Sequence, residues 1–230
     1  MNQLFNKRPL IKTGILGLLL LPLVIAINSF SPAKDKIPEG YNSSILAFEF
    51  ASNEAEIKEV LDPLTYDELK DMDKLNYVDF GFMAMYGLFL FLFMSRLKEI
   101  TKVEILERAK WFAPLIVIAD MLENLQLLKL TKGYKSMPDL SSTIMQLFAF
   151  TWTKWLLLAV AFAIIGASMW KMKMSKYLGY ILVLPLVVGC VAFITEDRVL
   201  EDGFGASIFV SFFLTFVYCF TFKESKGVMS

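Results

Sequence analysis

Asp120 and Glu123 in one long apolar segment, and Lys154 in the middle of the next, are ionisable residues set where lipid would surround them. By insertion scales a charge at mid-bilayer costs on the order of 3 kcal/mol unless it is paired or wetted, so such residues mark candidate sites. Asp120, Glu123 and Asn124 stand at i, i+3 and i+4 and share one helical face. Asp79 and Tyr86, seven residues apart, share a face of the preceding apolar segment, and Thr143, Gln146 and Thr151 are read onto the side of the helix that carries Lys154. Carboxylates facing an ammonium can exchange protons, hold a cation or bind a polar ligand. They can also do no more than lock two helices together through a buried salt bridge. A lock needs one pair, and the second carboxylate, Asn124 and Tyr86 exceed it. These residues predict a polar cleft between the second, third and fourth apolar segments, opening outward, whose surplus negative charge is met by a proton, water or a bound cation. Glu49, in the apolar run 45–51, is placed over its mouth.

The elements that must position these groups are transmembrane helices. Of 230 residues, 56% are hydrophobic and 20% charged, too oily a balance for an ordinary soluble domain. Apolar runs at roughly 13–29, 78–95, 111–128, 144–169, 177–195 and 204–222 each approach or exceed the ~20 residues that a helical span needs. The expectation is an all-α, polytopic membrane protein, a single integral membrane domain with six spans. With a rise of ~1.5 Å per residue, Lys154 lies about 15 Å into the fourth run, level with Asp120 and Tyr86 on neighbouring, oppositely running helices. The fourth run is long enough to tilt or project from the bilayer, and Pro185 is placed to kink the fifth. Ser207, Ser211 and Thr215 recur every four residues in the sixth and read as a packing seam.

Lys and Arg concentrate around Lys7, Arg8 and Lys12, through the 96–110 loop, at Lys171, Lys173 and Lys176, and at Lys223 and Lys226, whereas Asp and Glu dominate the 30–76 segment. By the positive-inside rule both termini are cytoplasmic and the 30–76 segment is external, in a bacterial cytoplasmic (inner) membrane. Trp111, Trp170, Tyr177 and Tyr41 fall near the interfaces as an aromatic belt would. The first run, with its basic flank and Ser31-Pro32-Ala33, also fits a signal peptide, but its length and the proline favour a retained anchor. Histidine is absent, which removes the usual haem ligand, the usual zinc ligand and the commonest general base. No metal or cofactor is expected, and Cys190 and Cys219 are read as small buried apolar residues.

In the external segment, Pro32, Pro38 and Gly40 mark a linker, and Ser52 or Asn53 caps a helix over 54–61 that Pro63 ends. Thr65 with Glu68 forms a capping box for a helix running into the second span. The segment reads as two or three short helices at the membrane surface.

Phe48-Glu49-Phe50-Ala51, Asp79-Phe80 with Tyr86, and Ala119-Asp120-Met121-Leu122-Glu123-Asn124 resemble, in the same order, an F-E-x-A loop, a D-F…Y element and an A-D-x-x-E-N element of a group of bacterial polytopic membrane proteins of unassigned function. The likeness covers about residues 45–125. It implies that Glu49, Asp79, Tyr86, Asp120, Glu123 and Asn124 belong to one shared pattern, and it transfers no activity.

Three functional readings follow. The first is binding or transport of a small solute or ion with carboxylate protonation at Asp120, Glu123, Asn124, Lys154, Tyr86, Asp79 and Glu49. The second is an intramembrane enzyme acting on a lipid by Asp, Glu and Lys acid-base chemistry. The third is a membrane scaffold with a structural salt bridge. Beyond the bilayer, the partner expected is a small solute, ion or lipid. Nucleic acid is excluded, because the basic residues line a membrane face without interleaved aromatics.

Overall fold

The computed structural model describes residues 8–136, 139–170, 172 and 175–223, and among these the regular structure is entirely helical. Lys7, Lys171, Lys173 and Lys226 of the charge pattern lie outside the described residues. Six stretches are long and apolar enough to cross a bilayer: Ile11–Ser29, Tyr66–Thr101, Ile105–Gly133, Ser141–Met169, Lys176–Thr195 and Arg198–Thr221. The chain is a polytopic α-helical membrane protein.

The first span is two helices, α1 (Ile11–Gly17) and α2 (Leu20–Ser29), separated by a turn at Leu18 and Leu19. Pro22 causes the break: without an N–H it cannot bond the Leu18 carbonyl, which accepts instead from Leu21 N at 3.2 Å in a tighter turn. Next come α3 (Ser44–Glu49) and α4 (Glu54–Leu61), then the second span, α5 (Tyr66–Thr101). The Asn53 side chain caps α4 by accepting from Glu56 N at 3.0 Å, and the Thr65–Glu68 capping box starts α5 as the sequence predicts. At 36 residues α5 is ~54 Å long, so its first turns stand clear of a ~30 Å hydrocarbon layer. The short α6 (Ile105–Ala109) leads into α7 (Phe112–Gly133), followed by α8 (Ser141–Met169), α9 (Lys176–Thr195) and α10 (Arg198–Thr221). α9 runs unbroken through Pro185.

Each span packs on the next in chain order, and α10 returns to α1, so the bundle closes into a ring. Small residues set the closest approaches. A Cβ on Gly166 of α8 would collide with the backbone carbonyl of Gly179 on α9, and the reverse is equally true. Ser211 and Thr215 are buried along α10, consistent with the seam, and Ser211 Oγ donates back to the Ser207 carbonyl at 2.9 Å.

The 30–76 segment packs onto the transmembrane bundle. Phe48, Ile57, Leu61 and neighbours form a core with Leu127 and Leu130 of α7 and Leu147 of α8, and α3 drops into the ring against α7, α8 and α10. Polar ties hold it there. Asn42 donates to both oxygens of Asp202, at 2.9 and 2.7 Å, Tyr41 donates to Glu201, and Arg198 makes a bidentate pair with Glu59 at 2.9 and 2.7 Å. Tyr41 is therefore no belt residue: burial and the Glu201 carboxylate push its phenol well above the ordinary value. Trp111, Trp170 and Tyr177 are exposed, as belt residues should be. Cys219 is buried as expected, but Cys190 is exposed on the outer face of α9, because that helix touches its neighbours only along its glycine and proline side.

The Arg198 guanidinium hydrogen-bonds Glu59 and holds its carboxyl below the ordinary 4.5, against a smaller opposing effect of burial. A carboxyl depressed on folding stabilises above its unfolded value, and that contribution is lost as pH falls through the folded value. Glu59→Gln should cost about 1 kcal/mol or less near neutrality, because the pair is partly solvated. Melting curves in detergent should show the gap to wild type closing as pH drops below 4.5.

Candidate functional site

Lys154 stands on the inner face of α8, which the short α3 and the neighbouring α7 both reach. Its Nζ lies 2.9 Å from Glu49 Oε2 and 3.3 Å from Asp120 Oδ1, and it also pairs with Glu123 Oε2. The four side chains are buried, with Glu123 fully enclosed and Glu49, the most open, 8% exposed. Asp120 and Glu123 arrive from one face of α7, as their spacing requires. Glu49 arrives differently, because the α3 helix ends on it inside the ring. The Trp155 indole donates to Glu49 Oε2 at 2.9 Å, and its ring lies 4.9 Å beneath the Lys154 ammonium.

Hydrogen bonds extend the cluster outward. Tyr86 on α5 donates to Asp120 Oδ2. Thr151, one turn before Lys154, has its hydroxyl against both the Glu49 carbonyl, at 2.9 Å, and Glu123 Oε1. Asn124 donates to Asp79 Oδ2 at 2.7 Å and reaches the Asn76 carbonyl at 3.4 Å. Five of the seven candidate residues, Glu49, Tyr86, Asp120, Glu123 and Lys154, thus join one network, and Asn124 with Asp79 forms a second pair on the same cavity. Asp79 turns toward the bundle interior, to Asn124. Gln146 does not join: it is exposed on α8, and Thr143 is only half-buried. Eight residues span somewhat more than two turns, so Gln146 falls well round the helix from Lys154.

Beside the network lies a cavity of about 270 Å³. Glu49, Asp79, Asp120, Asn124, Tyr86 and Lys154 line one side, while Val24 and Ile27 of α2 and Ile208, Phe209 and Phe212 of α10 line the other. The cleft is therefore bounded by the first and sixth spans as well as the second, third and fourth, since the ring closes by bringing α1 beside α10 and leaves α2 lining the cavity. Sequence reasoning missed these apolar walls. It also missed Asn76, which lines the cavity and whose spacing of three residues before Asp79 was the available signal.

Four carboxylates, Glu49, Asp79, Asp120 and Glu123, stand against the single ammonium of Lys154. Lys154 Nζ occupies the point on which three of them converge, and among the described residues no three acidic or cysteine side chains are arranged to hold a metal ion. The arrangement can absorb positive charge, as protons or as a cationic group entering from the cavity. Comparison of the chain with protein-family models, curated proteins and solved structures finds no match.

If the cluster carries surplus negative charge, its two signs should respond unequally to removal. Lys154→Met strands three buried carboxylates and should cost about 3–5 kcal/mol, whereas Glu49→Gln keeps an acceptor for Trp155 and should cost about 1 kcal/mol or less. Thermal and chemical unfolding in detergent at neutral pH compares them, and equal losses would show that the charges balance pairwise.

Proposed function

We propose that the protein binds a small cationic solute in the intramembrane site centred on Asp120, Glu123 and Lys154, exchanging it for protons held by the carboxylates, as a carrier does. The observation that supports this reading most is the four-to-one ratio of carboxylates to ammonium beside a cavity that three of the carboxylates line. A structural lock needs one pair, and the surplus carries a desolvation cost that a purely structural role does not repay. The geometry gives less to a lipid enzyme. Lys154, the lysine on which such acid-base chemistry would draw, already has its Nζ held by Glu49, Asp120 and Glu123.

A fixed-charge probe separates proton exchange from the probe's own titration. Choline and dodecyltrimethylammonium, added to lightly buffered protein in nanodiscs with a pH dye, should release protons, and Asp120→Asn should release less than half as many. Absence of release with both probes would remove the reading.

We further place the chain in a bacterial cytoplasmic membrane with the 30–76 segment outside, on the strength of the basic 96–110 loop and the acidic external segment. A cysteine introduced at the exposed Ser52 should react with an impermeant maleimide in intact spheroplasts. Labelling only after lysis would reverse the orientation.

A further inference from the structure

The acidic side of the cavity contains a polar group that the network leaves out. Asn76 is fully buried, lines the cavity, and has no partner for either its amide nitrogen or its amide oxygen. An unpaired buried amide costs about 1–3 kcal/mol, so its presence points to a ligand group that bonds it. The ligand must therefore offer hydrogen-bonding atoms within reach of Asn76 as well as positive charge within reach of Asp79 and Asp120.

The opposite side of the cavity is apolar and continues sideways. A second cavity of about 110 Å³ lies between the first, second and sixth spans and shares Val24, Phe82, Tyr86, Phe209 and Phe212 with the first. Its rim includes Leu21, Phe209 and Phe213, which are 51%, 58% and 57% exposed on the lipid-facing surface. Span 1 makes room for this slot. Its first half, α1, packs on both α10 and α5, with Gly14 against Cys219 and Phe220 and Gly17 between Phe216 and Phe89, whereas α2, beyond the Pro22 break, packs mainly on α5.

We propose, building on the cationic-site reading above, that the ligand is an ammonium-headed amphiphile entering sideways from the bilayer between α2 and α10. Its headgroup lies against Asp79 and Asp120 with a hydroxyl or N–H group on Asn76, and its chain lies in the aromatic slot at Phe82, Phe209 and Phe212. An anionic headgroup does not fit, because the one cation, Lys154, is already surrounded by three carboxylates. A bare inorganic ion would gain nothing from the apolar slot, and a water-soluble amine would leave it unused.

Photolabelling of the full chain in nanodiscs with a diazirine-bearing dodecyl ammonium tests this. Labels should map to residues 20–28 and 205–213, and dodecyl(2-hydroxyethyl)dimethylammonium, whose headgroup hydroxyl can bond Asn76, should compete at concentrations at least tenfold lower than either choline or dodecanoate. Phe209→Trp, which fills the mouth from the lipid side and leaves the acidic network in place, should cut labelling several-fold without shifting the melting temperature. Choline competing as well as the long-chain ammonium would overturn the amphiphile while leaving the cationic site standing. Dodecanoate competing equally would overturn recognition of the headgroup, and labels spread over the outer face of α9 would overturn the portal. If no ammonium of either length competes and none releases protons, the cationic site falls as well.

Discussion

A single buried ammonium organises this molecule. Lys154 can sit at mid-membrane because carboxylates from two other elements, α3 and α7, converge on it, and each of those elements is in turn held by the need to supply its partner. Removing the lysine would leave negative charge in a low-dielectric interior, while removing the C-terminal end of α3 would take away Glu49 and expose the cluster. The 30–76 segment and the transmembrane bundle are thus one cooperative unit. Its shared apolar core of Phe48, Ile57, Leu127 and Leu147 supports the same conclusion.

The other spans respond to the consequences of that choice. α7 holds α5 through two separate bonds, Tyr86 to Asp120 and Asn124 to Asp79, and the ring then closes from α10 back to α1. Closure is tight where glycine faces a neighbour, as between Gly166 and Gly179, and looser where Pro22 interrupts the first span. The loose place lies directly opposite the acidic wall. A cavity that is charged on one side and open to apolar surface on the other is the result, and both the proposed function and the nature of the proposed ligand come from that juxtaposition.

Much of the fold was legible without coordinates. Hydropathy located all six spans, because a run of about twenty apolar residues has few stable alternatives to a membrane helix. The caps at Asn53 and Thr65 were readable because capping is a local matter between residues three apart. Asp120, Glu123 and Asn124 could be assigned to one face for the same reason. Gln146 shows where such reasoning fails: eight residues along a helix, the accumulated angle no longer returns a side chain to the starting face.

Sequence alone determined which residues would be trapped at membrane depth and which of them neighbour one another along a single helix, because those properties depend on composition and on a fixed rise and turn per residue. Only the tertiary structure decided that Glu49, from the segment between the first two spans, becomes the third carboxylate on Lys154, that Asp79 turns inward to Asn124, and that the first and sixth spans complete the cavity. Those contacts join residues far apart in the chain, Glu49 and Lys154 most of all. Their partners are chosen by how the ring closes and by where Pro22 lets it open, which no local pattern encodes.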